Sequence, residues 1–126
     1  MGKDSILLVG AGGHAKVCID VIQQEGRFSI KGLVGLPHEV ENQVLGYSVL
    51  GKDEDLPELI RDCTNVLITI GQVKTPKPRI LLYDLIHKNS CTSPVIVSPH
   101  AYVSPHASIG EGTIVMHGAI INAAAV

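Results

Sequence analysis

Val-Ile-Val-Ser-Pro-His-Ala-Tyr-Val-Ser-Pro-His-Ala-Ser-Ile-Gly-Glu-Gly-Thr-Ile-Val-Met-His-Gly-Ala-Ile-Ile-Asn-Ala-Ala-Ala-Val, the stretch Val95–Val126, repeats every six residues. Val97, Val103, Ile109, Val115 and Ile121 recur at that spacing, each followed four places later by Ala101, Ala107, Thr113, Ala119 or Ala125. One aliphatic and one small residue per six is the pattern of a parallel β-helix built from hexapeptides. Each unit forms one flat side of a triangular coil. The aliphatic residue points inward, and the small one lets the chain bend at the corner. Three units make a turn, so the five here make fewer than two. Pro99 and Pro105 occupy the same place in successive units, as do His100 and His106. That recurrence predicts coil corners, where a missing backbone donor costs little. Terminal repeats need a polar cap, and the fifth unit ends without one. The expectation is therefore an N-terminal piece of a longer protein.

Upstream, Ser5–Val9 is a short apolar run of the kind that forms a buried parallel strand. It leads into Gly10-Ala11-Gly12-Gly13-His14, after which Val17, Cys18, Val21 and Ile22 recur at helical spacing and Gly26 supplies a stop. Further strands are predicted over Phe28–Val34, Tyr47–Leu50 and Val66–Ile70. Asp53 is the expected cap of a helix carrying Leu56, Leu59 and Ile60, and a last helix spans Arg79–Lys88. Alternating strands and helices of these lengths predict a small Rossmann-like α/β domain over residues 1–90, with a sheet short for a full dinucleotide fold. Turn residues at Asn89–Pro94 separate it from the repeats of 95–126.

Composition narrows the function. Apolar residues make up 45% of the 126 and aromatics only 3%, so the cores are aliphatic. A net charge near −2 leaves no electrostatic footprint for nucleic acid or an anionic membrane. Lys74, Lys77 and Arg79 form the one basic cluster, interrupted by prolines and read as a solvated loop that an anionic substrate could use. Three cysteines, Cys18, Cys63 and Cys91, lie at no metal or redox spacing, and with no signal peptide or membrane span in view they indicate a reduced, cytoplasmic setting.

Gly10–Ala15 has the form Gly-x-Gly-x-x-Ala between a strand and a helix. Glycines there permit a tight turn and close backbone approach, and the helix start offers unpaired N–H groups to an anion. A dinucleotide site also wants an acid at the end of the second strand. That place holds Val34-Gly35-Leu36, with the next acid at Glu39. NAD is accordingly disfavoured, and two readings stay open: a phosphate-bearing ligand of another kind, or glycines serving the turn alone. His14, at the helix start, either contacts that ligand or packs in the loop, and His117 is a second candidate within the repeats. His38 and His87 have no constellation around them. No Ser-His-Asp arrangement, carboxylate pair or metal cluster emerges from the spacing.

Gly10-Ala11-Gly12-Gly13-His14-Ala15-Lys16-Val17, then Val49-Leu50-Gly51, Ile70-Gly71 and the hexapeptides, together resemble one family. It is that of the bacterial sugar acyltransferases that O-acetylate sialic acid or N-acetylate UDP-linked amino sugars. The resemblance implies a Rossmann-like domain holding the sugar nucleotide and a left-handed parallel β-helix through which the protein trimerises. It also implies acetyl-CoA as co-substrate, bound between neighbouring β-helices, with most of its site beyond Val126. Position by position, Gly12, Gly13 and His14 match the acceptor-binding loop, and Gly71 matches a backbone-approach position after the fourth strand. The family's second strand ends in an acidic pair where this chain has Gly35-Leu36. Its catalytic base, a histidine beside an acid, lies in a coil past Val126, and none of His100, His106 and His117 matches it. The implied function is the N-terminal part of a sugar O- or N-acetyltransferase, inactive by itself; the alternative is a non-catalytic sugar-nucleotide-binding or assembly module. An open coil end exposes unpaired sheet edges and apolar core, so residues 109–126 are expected to self-associate or to fray.

Overall fold

A computed structural model describes residues 3–61, 63–70 and 77–124 of the chain. Five strands form one sheet, β1 (Asp4–Val9), β2 (Phe28–Gly35), β3 (Gln43–Val44), β4 (Tyr47–Lys52) and β5 (Asn65–Ile68), in the order β3-β4-β2-β1-β5. All neighbours pair in parallel except β3 with β4. Parallel strands need crossovers, and α1 (Gly13–Glu25) and α2 (Leu56–Arg61) supply two of them. The helix α3 (Lys77–Lys88) leads out of the sheet.

Side chains of β1 alternate between two cores. Ile6 and Leu8 pack with Ile19 and Ile22 of α1, whereas Leu7 and Val9 pack with Leu56 and Ile60 of α2 and Ile86 of α3. This alternation is why Ser5–Val9 reads as an unbroken apolar run: both faces of the strand are covered.

After α3 the chain joins the sheet once more through a bridge between Asn65 and Thr92, and then enters the repeats. Four two-residue strands follow: β6 (Ile96–Val97), β7 (Tyr102–Val103), β8 (Ile114–Val115) and β9 (Ile120–Ile121). β6 pairs in parallel with β8, and β7 with β9, each residue meeting the one eighteen places on. Eighteen residues are three hexapeptides, the predicted length of a turn. Turns closed by Ala101 N–H to the Ser98 carbonyl and Ala107 N–H to the Ser104 carbonyl, both 3.1 Å, put Pro99 and Pro105 at corners. Gly112 and Gly118, at the same place six residues apart, have φ of 74° and 77°, and Ala124, six further on, adopts 66°. Of the expected inward aliphatics Val115 is buried, while Val97, Val103, Ile109 and Ile121 are partly exposed. Ile96 is fully buried in the same cluster as Ile6 and Ile19, so the first coil side completes the core beneath α1.

Two local expectations need correcting. The hairpin β3–β4 went unseen because its two-residue turn is Leu45-Gly46, both at positive φ (49° and 88°). Such turns favour Asn-Gly, and leucine carries no signal for one. The helix start near Asp53 is built differently as well. A one-turn 3-10 helix, Asp53–Asp55, precedes α2, and it is Asp55 Oδ2 that accepts the Lys52 N–H at 3.0 Å.

Candidate functional site

At the C-terminal edge of the sheet the chain leaves β1 through Gly10, whose φ is 129°. A Cβ there would stand 2.9 Å from the backbone of Thr69 and Ile70, so only glycine lets β1 and the end of β5 approach this closely. The turn is pinned by Gly10 N–H to the Val34 carbonyl (2.8 Å) and by Thr69 Oγ1 donating to the Gly10 carbonyl (2.8 Å).

Gly12 and Gly13 differ. A Cβ on either would meet nothing within 4 Å, so packing does not demand glycine there. What their bareness does is leave the start of α1 open. Gly12 is the N-cap, no side chain caps it, and no acidic residue lies in the first turn. The first N–H groups of a helix lack the regular partner and carry the positive end of its dipole. Here Ala15 N–H turns back to the Gly12 carbonyl at 3.1 Å, which leaves those of Gly13 and His14 without a hydrogen-bond partner among the described residues. An uncapped glycine start of a thirteen-residue helix at the carboxyl edge of a parallel sheet is suited to an anion.

That helix start opens on a cleft of about 330 Å³, floored by Gly10–Gly13, walled by Val34, Gly35 and Leu36, and bordered by His14 and Glu39. Gly12, Gly13 and His14 thus meet in one place. Gly71, the fourth expected position, lies outside the described residues, as do Lys74 and the side chain of Lys77. Arg79 donates to the Ile70 carbonyl at 2.6 Å, tying α3 to the end of β5. Half-buried His14 also borders a second cleft, of about 610 Å³, between the sheet and the first coil, where Arg79, Tyr83, Thr113 and Met116 converge. In its wall Ser93 Oγ is buried with no hydrogen-bond partner among the described residues.

Glu39 is the residue the sequence did not place. The end of β2 holds Gly35-Leu36, as the sequence shows, yet a one-turn 3-10 helix, Pro37–Glu39, folds the chain back. The Glu39 carboxylate then accepts the Leu36 N–H at 2.7 Å. An acid therefore stands at the strand end after all.

A second arrangement absent from the spacing is a hydrogen-bonded chain of Ser98, His117 and Asp20. Ser98 Oγ bonds His117 Nδ1, and His117 Nε2 lies 3.0 Å from Asp20 Oδ2, across 97 residues of sequence. It has the membership of a hydrolytic triad without its accessibility. Ser98 is 1% exposed, and its oxygen already accepts the His100 N–H at 2.9 Å. The group acts as a joint between α1 and the coil. Glu25 adds a second joint, accepting the Val97 N–H at 2.8 Å while paired with Arg27. His87, for which no role was expected, pairs with Glu111 at 3.0 Å and stacks on Tyr83. Tyr83 donates to the Glu111 carbonyl, and burial together with the Glu111 carboxylate pushes its hydroxyl pKa up.

Burial raises the Cys18 thiol to about 11 and pushes Cys91 up as well, so neither is a ready thiolate. Among the described residues no three His, Cys, Asp or Glu side chains converge as a metal site, and no helix is long and apolar enough to cross a membrane.

None of the curated proteins matches this chain in sequence. Among solved structures, a variant of perosamine N-acetyltransferase from Caulobacter crescentus, in complex with CoA and GDP-perosamine, has a TM-score of 0.81 and 31% identity over 98% of this chain. The acetyltransferase domain of PglB from Neisseria gonorrhoeae FA1090, in complex with acetyl coenzyme A, has a TM-score of 0.75 and 28% identity over 94%. This chain spans 55% of the first and 56% of the second, about half of each. The profile of the PglD N-terminal domain family matches residues 5–79, from the first strand through the glycine loop and the sheet to the start of α3, and the chain belongs to that family.

Proposed function

We propose that these 126 residues are the N-terminal part of an acetyl-CoA-dependent acetyltransferase acting on a nucleotide-linked amino sugar or a related hydroxy sugar such as sialic acid. The observation that carries this is the uncapped glycine start of α1 opening on the 330 Å³ cleft, in a chain of this family. The bare N–H groups suit a diphosphate, and relatives of the same fold were solved with GDP-perosamine and with CoA or acetyl coenzyme A. In this reading Gly12, Gly13 and His14 hold the sugar nucleotide, with Gly71 contributing from the segment after β5. The acceptor amine or hydroxyl attacks the thioester carbonyl, the carbon–sulfur bond breaks, and a general base takes the acceptor's proton.

That base belongs to the half of the enzyme that the relatives have beyond this span. His117 is a poor substitute, since both its ring nitrogens are engaged. We read residues 1–90 as the substrate domain and 95–126 as the first coils of a left-handed β-helix, which the eighteen-residue ladders support. The whole protein would work in the cytoplasm as a homotrimer joined through its coils. Tyr102 and Ile120, paired in register and 56% and 70% exposed, are suited to such a contact.

The test is titration of GDP- and UDP-linked amino sugars, and of NAD, into this chain and its His14→Ala variant. Micromolar binding of a sugar nucleotide, weakened about tenfold or more by the variant, is expected for loss of a polar contact to the ligand. Tighter binding of NAD than of every sugar nucleotide would overturn the reading. Incubated with acetyl-CoA and these acceptors, the 126-residue chain is expected to transfer nothing above background. Robust transfer would place the base within it, with His117 the first suspect.

A further inference from the structure

We infer that Glu39 is the ribose-binding acid of this site, and that Gly35 is glycine in order to admit it. The inference rests on the sugar-nucleotide reading and assigns a group that the sequence left unplaced.

In sheets of this kind the anion lies at the first helix start, and the nucleoside extends toward the end of the second strand, where an acid accepts the ribose hydroxyls. Here β2 ends at Gly35. The turn closed by Glu39 N–H to the Leu36 carbonyl (2.9 Å) reverses the chain, and Glu39 Oε1 accepts the Leu36 N–H at 2.7 Å. That bond holds the carboxylate on the cleft wall. Oε2 has no hydrogen-bond partner among the described residues, which leaves it and the second lone pair of Oε1 for donors from a ligand. Vicinal ribose hydroxyls are two adjacent donors and match a carboxylate's acceptors.

The cost of this arrangement falls on residue 35. A Cβ on Gly35 would stand 2.9 Å from Glu39 Oε1 and 3.0 Å from the Ala11 Cβ. Of the two neighbours the carboxylate is the one that gives way, because it lies at the end of a flexible side chain and moves by releasing the Leu36 N–H, whereas Ala11 belongs to the loop that shapes the anion site. A side chain at 35, acidic or otherwise, and Glu39 folded back over it therefore exclude one another. The same space can hold an acid on the strand end or an acid returning from the turn. This chain has the second.

The experiment measures Kd for GDP, and for GDP lacking both ribose hydroxyls, with the parent chain, Glu39→Gln and Gly35→Ala. Glutamine keeps a carbonyl acceptor for the Leu36 N–H, so the turn stays while the charge and one acceptor go. The parent should bind GDP about tenfold more tightly than the dideoxy form, a typical effect of hydrogen bonds to a charged acceptor. In Glu39→Gln that preference should collapse, with dideoxy affinity unchanged. Gly35→Ala should reproduce the collapse by displacing the carboxylate, without touching its chemistry. Undiminished ribose preference in Glu39→Gln would overturn the assignment while leaving the sugar-nucleotide reading intact. Failure of the parent to bind either nucleotide would overturn both.

Discussion

The α/β sheet region and the shorter repeat region use the same aliphatic side chains and bury them to different depths. In the sheet, Ile6, Leu8, Leu33 and Leu67 are fully buried, because α1 closes one face and α2 with α3 closes the other. In the coil, only Val115 of the evenly spaced aliphatics is buried. A coil residue is covered by the coil above or below it and by whatever docks on the side. For the aliphatics that flank those positions, burial follows contact with the cluster under α1. Ile96 is inside the α1 cluster, Ile114 and Met116 pack against it, and Ile120 is 70% exposed. A six-residue period tells which way a side chain points, and the neighbours decide how dry it becomes.

The largest test of this contrast removes the same side chain from each half. Ile6→Ala should cost about 3–4 kcal/mol in urea unfolding, as expected for a buried aliphatic with no room to collapse. Ile121→Ala, from a partly exposed position, should cost roughly 1 kcal/mol or less. Equal losses would show that the coil is as well closed as the sheet and would break the comparison.

A smaller effect sharpens the α/β side. Cys18 is buried on α1 with its thiol raised from 9.0 to about 11. A raised thiol means that the folded chain retains a proton the unfolded chain gives up. Its contribution to stability is whole below about pH 9 and is lost as pH rises toward 11. Tyr83 and Cys91 are shifted in the same direction. Unfolding free energy should fall by at most about 2–3 kcal/mol across that window, and Cys18→Ala should flatten much of the slope. A slope unchanged in the variant would mean that the α1 core is wetter than its packing implies.

The smallest effect concerns a turn that serves neither core. Leu45 holds a positive φ in the β3–β4 turn and is 57% exposed. Leu45→Asn should stabilise by roughly 0.5–1 kcal/mol, because asparagine tolerates that conformation and leucine does not. Destabilisation on thermal unfolding would indicate that the exposed leucine makes a contact more valuable than the strain it carries.

The same difference explains what could be read in advance. The first strand, the glycine loop and α1 were legible because each is a local pattern in which neighbouring residues specify one another. Gly10 and Pro99 fell where the pattern demanded. The β3–β4 hairpin was hidden by an unfavourable residue in its turn. Asp53 reads as the cap in the sequence, but Asp55 accepts the Lys52 N–H, since a 3-10 turn shifts the phase of the helix start. Those misses are local.

The misses that bear on function are of another kind. Sequence alone determined that a strand, a glycine turn and a helix would follow one another, and that a six-residue period runs through the last thirty residues, because backbone geometry and periodicity act over short spans. Only the tertiary structure decided that Glu39 returns to the end of β2 and that Gly35 makes room for it. It alone joined Ser98, His117 and Asp20 across 97 residues of chain. Groups meet in these ways when packing closes the spaces between elements, and the spacing of residues along the chain carries no record of that closure.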